Sequence, residues 1–448
     1  MNYAAPPVGL AVPAGKSIDL FAGPGGLSLG LIEAGFEVVG AVEWDPHAGR
    51  TYRHNIGDHV HVRDLTSFGP KEMERAMIEE GRISDRGEVC LISGGPPCPG
   101  FSMIGRSKIS SLIASGEWEG SDARHGFIDD ARNKLFREFV KYVEHFRPRF
   151  FLMENVSGMT SYMRQEGGSM VDVIESEFRS LGYSVKSEVL VASKFGVPQN
   201  RKRIIFMGWG DGEAEPEWPL EEEGELTAWD AIRDLPKVDG ETGLSRCSAL
   251  SDISALQNNS MVRSYLERVR NSVTPTNLRG GGVSLHHTRS VNARDRGIFP
   301  LLKSGEGGGK RVLYKDLDPS TIGFPEPWRW VKSRGVVSNG RRGGNKKEYK
   351  WYDGSKFGDK MRRMRGDRPA PTVVAHLAKD GYMFIHPYED RTITVREAAR
   401  FQSFPDSFDF SADGKNPVSS QFRQVGNAVP PILAESLGRC IIGAMERS

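Results

Sequence analysis

The sequence predicts an α/β fold with an open sheet, joined to a second, smaller domain of irregular structure. Three observations carry that expectation. Short apolar runs near 17–21, 37–44, 59–65, 89–93, 150–153, 184–192 and 204–208 read as buried strands. Helical stretches separate several of them, and one at about 129–146 sets Leu135, Phe136, Phe139, Val140 and Val143 on a single face. From about 209 to 360 the alternation gives way to Gly280-Gly281-Gly282, Gly307-Gly308-Gly309 and many polar residues, before regular patterning resumes. The expected layout is a loose tail at 1–16, a main domain at 17–208, an irregular domain at 209–360 and a return to the main domain at 361–448.

A chain of 448 residues is long enough for two or three domains and a sizeable core. Its four cysteines, Cys90, Cys98, Cys247 and Cys440, are scattered. That spacing argues against a disulfide framework or a zinc site and for a reducing, cytoplasmic compartment. His286-His287 lacks a second ligand pair, so no metal is expected. No apolar run approaches the length of a membrane span. The opening residues carry no basic n-region and read as a tail rather than a signal peptide. Lys and Arg number 60 against 58 Asp and Glu, a near balance that hides local asymmetry. Between Arg329 and Arg368 there are fourteen Lys or Arg and four Asp or Glu, interleaved with Trp330, Tyr349, Trp351 and Tyr352. A basic stretch with aromatics is the footprint of a nucleic-acid surface, although a single charge run is more commonly a solvated face.

The first strand runs into Ala22-Gly23-Pro24-Gly25-Gly26-Leu27, a glycine-rich turn opening a helix, where a ligand can approach the backbone. Taken alone it is equally an ordinary tight turn. The second strand closes on Glu43-Trp44-Asp45. A carboxylate there is the usual partner of a ribose diol, and Trp44 offers a face to an adenine ring. The third strand ends at Asp64, suited to an adenine amino group. Each acid has a surface-charge reading, but three suitable strand ends in succession favour a nucleoside-containing cofactor. The fourth strand leads into Gly94-Gly95-Pro96-Pro97-Cys98-Pro99-Gly100-Phe101-Ser102, a rigid turn that presents one thiol. Cys98 is a candidate nucleophile, set against the bland reading of a small buried apolar residue. The polar stretch 103–125 is too long for a simple connection and reads as a mobile functional loop or a surface insertion.

The fifth strand ends in Glu154-Asn155-Val156, which puts a carboxylate beside the Cys98 turn as an acid, a hydrogen-bonding group or a cap. Arg201 and Arg203 alternate along an extended chain and so share a side. They suit an anionic or carbonyl-rich substrate, or a solvated edge. Near the C-terminus a helical 394–402 precedes Gln424-Val425-Gly426-Asn427-Ala428-Val429-Pro430-Pro431, which opens a terminal helix.

The ordered set DLFAGPGGLSLG, VEWD, GGPPCPGFS, FLMENVSG, GVPQNRKRIIFMG, RPAPTV and QVGNAVPP closely resembles the DNA cytosine-5 methyltransferases. The matches run from about Ser17 to the C-terminus, interrupted by the irregular stretch. The resemblance implies an S-adenosylmethionine-dependent methyltransferase (Rossmann-like) fold, with a mixed, mostly parallel sheet and a target-recognition domain at 209–360. It implies Cys98 as the covalent nucleophile at cytosine C6, with Glu154, Arg201 and Arg203 completing the catalytic set. A free thiol, with a pKa of about 8.5, needs nearby cations to ionise at neutral pH. Phe21, Ala22, Gly23, Gly25, Gly26 and Leu27 match positions that bind S-adenosylmethionine. So do Glu43, Trp44, Asp64, Leu65, Gly95, Pro97 and Leu135, and from the far end of the chain Asn427, Ala428 and Val429.

The target base must be flipped from the duplex to be reached. The implied partner is double-stranded DNA, with a cognate restriction endonuclease acting separately. The expected enzyme is a stand-alone bacterial or phage monomer, cytoplasmic and nucleoid-associated, with no membrane contact. Pro99 departs from the family pattern, in which glutamine is common after the cysteine, and removes a backbone donor. Methyltransferases acting on exocyclic amines would instead show an (Asp/Asn/Ser)-Pro-Pro-aromatic turn with no cysteine. An RNA cytosine-5 methyltransferase shares these motifs, but the extended basic region favours duplex DNA. A DNA-binding regulator without activity is expected to lack Cys98, Glu154 or the arginines, and all are present.

Overall fold

The structure is a computed structural model that describes residues 13–97, 135–161, 169–239, 250–256, 259–272, 284–288, 291, 293–317, 361–378 and 381–448, together with the backbone of 328–331 and 347–350. Seven strands form one twisted sheet: β1 (Lys16–Leu20), β2 (Glu37–Glu43), β3 (Val60–Val62), β4 (Val89–Gly94), β5 (Phe150–Val156), β6 (Ser184–Val191) and β8 (Lys202–Trp209). Their order is β3-β2-β1-β4-β5-β8-β6. The pairs from β3 across to β5 are parallel, while β8 runs antiparallel to both β5 and β6. The sheet is therefore mixed and mostly parallel, as expected. A two-residue strand β7 (Gln199–Asn200) pairs separately with Ala370–Pro371.

Alternation along β5 shows why the sheet needs cover on both faces. Phe150 and Leu152 enter one core, while Phe151 and Met153 enter the other. Burying each such side chain is worth roughly 1.5–3 kcal/mol. Helices α3 (Pro70–Glu79), α4 (Phe136–Phe146) and α5 (Met170–Ser180) cover the Phe151 face through Met73, Met77, Phe139, Val143, Ile174 and Phe178. The predicted start of α4 at 129 lies outside the described residues. On the Phe150 face lie α1 (Gly26–Ala34) and the terminal helix α10 (Pro431–Arg447), joined by α6 (Ala228–Ile232), α7 (Ser260–Asn271), α8 (Val395–Phe401) and α9 (Val418–Asn427).

Packing does not break at the expected boundary near Trp209. Leu226, Ala228, Ile232, Val262, Leu266 and Val269 all belong to the large core. A separate small core gathers Val291, Ile298, Phe299, Leu302, Tyr314, Met361 and Ile385. Arg363, counted above in the basic stretch, is internal to it, donating to the carbonyls of Leu302 (3.0 Å), His386 (2.8 Å), Glu389 (2.9 Å) and Phe299 (2.7 Å).

Helices α9 and α10 together are long and apolar enough, by composition, to cross a bilayer. Pro430 and Pro431 divide them, however, and α10 lies against α1. That contact depends on missing side chains. A Cβ at Gly30 would run into the Pro431 carbonyl and Ala434, and one at Gly26 into the Val429 carbonyl. Gly30→Ala is accordingly expected to lower stability by about 1–3 kcal/mol through forced separation of the helices, read as a reduced urea midpoint at unchanged slope; an unchanged midpoint would disprove the close approach.

Candidate active site

Register brings three strand ends together. Leu20 pairs with Val42 on one side and with Gly94 on the other. The chain moves outward from β1 to β3 and then returns to add β4 on the opposite edge, so β1 and β4 flank a topological switch point. At its mouth Phe21 and Gly23 both adopt positive φ, 57° each, a conformation costly for a phenylalanine and a mark of functional sites. A Cβ at Gly23 would meet nothing within 4 Å, so this backbone faces open space. Gly25 and Gly26 differ: Gly25 lies against Ile56 and Tyr52, and Gly26 under Val429. Their missing side chains leave room for this packing.

The Glu43 carboxylate organises the crevice. Gly23 N–H donates to Oε2 and Asp45 N–H to Oε1, both at 2.8 Å. Glu43 is buried, which pushes its pKa up to about 7 despite those two backbone donors. Beside it Trp44 is 73% exposed, a large ring left uncovered at the strand end. Asp64 is exposed, with Oδ1 held by the N–H (2.9 Å) and hydroxyl (2.8 Å) of Thr66, and Leu65 is buried. From the C-terminal side, Ala428 and Val429 are buried, whereas Asn427 is exposed at the end of α9. Ala22 is buried with its N–H on the Val42 carbonyl (3.0 Å), and Leu27 is buried in α1. Gly95 and Leu135 are half-buried and Pro97 is exposed.

One strand further, Glu154 and Arg203 approach diagonally across the antiparallel β5–β8 pair, with Arg203 Nε 2.7 Å from Glu154 Oε1. The contact is an ion pair, and among the described residues this buried Oε1 accepts no hydrogen bond. A Cβ at Gly95 would stand 3.4 Å from Glu154 Oε2, which places the carboxylate beside the strand end that leads to Cys98. Cys98 itself, Pro99 and the 103–125 stretch lie outside the described residues. Asn155, to which sequence reasoning assigned no role, donates from Nδ2 to the Pro96 carbonyl (3.0 Å) and so ties the end of β5 to that turn.

The expectation for Arg201 needs correction. It does not line up with Arg203 on an open extended face, because it sits between β7 and β8 with its side chain turned inward. It is 1% exposed, and Nη1 donates to the carbonyls of Val373 and Gly426, both at 3.1 Å. His286, read above as no metal ligand, is a buried histidine bonded to Thr394 (3.1 Å) and the Pro236 carbonyl (2.7 Å).

Beneath the glycine turn runs a buried polar chain that the sequence pattern did not reveal. Ser28 donates to Asp19 Oδ2 (2.6 Å), Tyr52 donates to Ser28 (2.9 Å), and the Tyr52 hydroxyl meets His59 Nε2 (3.0 Å). Among the described residues Asp19 Oδ1 accepts no well-formed hydrogen bond, and burial lifts this carboxyl to about 7. Such a group holds a proton in the folded state that the unfolded chain releases above about pH 4. Its stabilising effect is complete below pH 4, declines as pH rises towards 7, and is gone above it. Asp19→Asn should therefore flatten the fall of unfolding free energy between pH 5 and 7, by up to about 1 kcal/mol per pH unit; an identical slope in the variant would show that Asp19 is ionised throughout.

A profile of the C-5 cytosine-specific DNA methylase family matches residues 15–443. The chain is 32% identical to Type II methyltransferase M.AgeI of Thalassovita gelatinovora, over 95% of this chain and 99% of that protein. It is 31% identical to Type II methyltransferase M.DdeI of Desulfomicrobium norvegicum, over 95% and 88% of the two chains. Its fold is similar to that of a protein described as a DNA modification methyltransferase encoded within an E. coli prophage, with a TM-score of 0.65 at 23% identity, covering 96% of this chain and 99% of that one. The family match spans the glycine turn, the Glu154–Arg203 pair and most of α10, so the chain belongs to the C-5 cytosine-specific DNA methylases and is a DNA (cytosine-5)-methyltransferase.

Proposed function

We propose that this chain methylates C5 of a flipped-out cytosine within a specific duplex sequence, with Cys98 as covalent nucleophile and S-adenosylmethionine as cofactor. The observation that carries the reading is the Glu154–Arg203 ion pair beside Gly95, three residues before Cys98. The exocyclic amine of cytosine donates to this carboxylate, and N3 accepts from Glu154 when the carboxyl carries a proton. In the proposed reaction the Cys98 thiolate forms a bond to C6 while Glu154 shares a proton at N3, which makes C5 nucleophilic. Arg203 orients Glu154 and is close enough to serve the ring carbonyl. After methylation the C5 proton passes to water, its bonding pair forms the C5–C6 double bond as the C6–S bond breaks, N3 returns its proton to Glu154, and the thiolate departs.

S-adenosylmethionine supplies the activated methyl group. The residues fit it: Gly23 leaves open space, Glu43 keeps free lone pairs on both oxygens for a ribose diol, and Trp44 exposes a ring for the adenine. Asp64 and Asn427 stand exposed nearby in the chain's two contributions to the wall, and Phe21, Leu65, Pro97, Leu135, Ala428 and Val429 complete it. Target recognition is assigned to the 209–360 region, whose basic residues from Arg329 onward suit DNA phosphates by their charge. The type II relatives support a place beside a cognate restriction endonuclease, and the chain is proposed to act as a monomer.

Bisulfite sequencing of DNA from a non-methylating host expressing the chain should reveal protected cytosines at one short sequence. Cys98→Ala should abolish that protection while leaving soluble protein. Protection that survives the substitution would rule out Cys98 as nucleophile, and protected RNA with unprotected DNA would redirect the reading to an RNA substrate. A second consequence concerns pH. Ionised, Glu43 offers a full acceptor on each oxygen to a diol, which its protonated form does not, and in the free protein it is held near 7. Affinity for S-adenosylhomocysteine should thus rise as pH increases from 6 to 8, with Glu43→Gln both weaker and flat across that range. A flat profile in the unsubstituted protein would separate Glu43 from the diol.

A further inference from the structure

Arg201 and Arg203 stand two residues apart and look equivalent in sequence, yet their surroundings give them different work. We propose that Arg201, with Gln199 and Gln402, is a positioning residue that caps the C-terminus of α9 and thereby holds the 427–429 segment against the glycine turn. The turn that leads into the strand presenting Arg203 then also sets the cofactor side of the crevice. This rests on the reading of Asn427–Val429 as cofactor wall.

The last carbonyls of a helix lack partners within it. In α9 those of Val425 and Gly426 are satisfied from outside. Gln402 Nε2 donates to the carbonyls of Val425 (2.6 Å) and Ala428 (3.0 Å), and Arg201 Nη1 to that of Gly426 (3.1 Å). Gln199 joins the two arms. Its Nε2 donates to Gln402 Oε1 and the Phe401 carbonyl (3.0 Å each), and its Oε1 accepts from Val373 N–H (2.9 Å). Arg201 takes the Val373 carbonyl as well (3.1 Å), so both polar groups of that peptide-bearing residue answer to the 199–201 turn.

The geometry is demanding. A Cβ at Gly426 would run into the Val374–Ala375 peptide, so the helix end approaches closely enough for one guanidinium nitrogen to reach both Val373 and Gly426. Arg201 is also an expensive way to fill space. Its Nε is buried without a hydrogen-bond partner, and burial together with the charge of Arg203 disfavours its cationic form, Glu154 partly offsetting them. An apolar side chain of similar volume would pack at lower cost. A cation facing the negative end of α9 is stabilised there, which explains an arginine at this position better than packing does. Just beyond the capped turn, the Val429 carbonyl covers Gly26.

The test uses the full chain without DNA. Arg201→Lys and Gln402→Met are compared with Arg203→Lys for the dissociation constant of S-adenosylhomocysteine, the dissociation constant of a DNA duplex, and hydrogen exchange of the ligand-free 425–431 segment. The two bracket variants should weaken S-adenosylhomocysteine by about tenfold or more, as expected for lost bonds to a charged or amide donor. They should also speed exchange at 425–429 and leave duplex affinity within about twofold. Arg203→Lys should leave both the exchange and the S-adenosylhomocysteine affinity as they are. Gln402→Met carries the test if Arg201→Lys does not fold. Unchanged exchange in the bracket variants, or an Arg201→Lys that loses duplex affinity while retaining S-adenosylhomocysteine, overturns the assignment. A parent protein that binds no S-adenosylhomocysteine would refute the cofactor reading instead, and the exchange measurement would still decide the bracket.

Discussion

The close approach of the C-terminal segment to the first helix is the constraint on which the rest of the molecule depends. Gly26 and Gly30 leave one side of α1 bare, and the Val429 and Pro431 carbonyls occupy the space. Gly438 repeats the device from the other partner, since a Cβ there would press on Ala34 and Leu31. Residues separated by some four hundred positions thus become neighbours through backbone rather than side-chain contact. The crevice between β1 and β4 acquires its second wall only when this closure is made.

Buried charge holds the intervening chain in place. Arg391 forms a two-pronged pair with Glu397 (2.9 and 2.7 Å), and Arg400 meets Asp234 (2.7 Å) and Asp406 (2.7 Å) with almost no exposure. Glu397 also accepts from Thr394 N–H (2.7 Å) at the start of α8, so the same carboxylate caps the helix and neutralises the arginine. Such pairs add little net stability over apolar packing, but removing one partner costs about 3–5 kcal/mol. They specify which segments meet. Asp234 follows α6, and its pairing with Arg400 on α8 is one reason that residues beyond Trp209 belong to the large core.

Charge at the proposed base site is arranged differently. Glu154 and Arg203 are only partly withdrawn from solvent and form an ion pair at 2.7 Å. Arg201, two residues away, has two bonds to carbonyls and almost no exposure. A short strand followed by a turn thus serves two neighbouring sites with one residue type. The turn, not the residue type, separates them.

Local patterning was sufficient for most of the fold. Strands with apolar runs of five to seven residues, the amphipathic α4 and the glycine turn are short-range features, and the mixed sheet assembled from them is the one the motifs implied. The placement of Glu43, Trp44 and Glu154 towards strand ends was legible because strand ends can be read from apolar runs. Other features depended on contacts between distant residues. Asp19, Ser28, Tyr52 and His59 show no spacing that announces a buried chain. The basic stretch gives no sign that Arg363 turns inward to four carbonyls. Alternation placed Arg201 beside Arg203, but alternation holds only while a strand continues, and here β7 and β8 are separate. The sequence by itself determined which groups were available and on which strand ends they stood. Only the tertiary structure decided which of them face the crevice and which are bound to backbone, because burial and hydrogen-bond partners are properties of the packed chain.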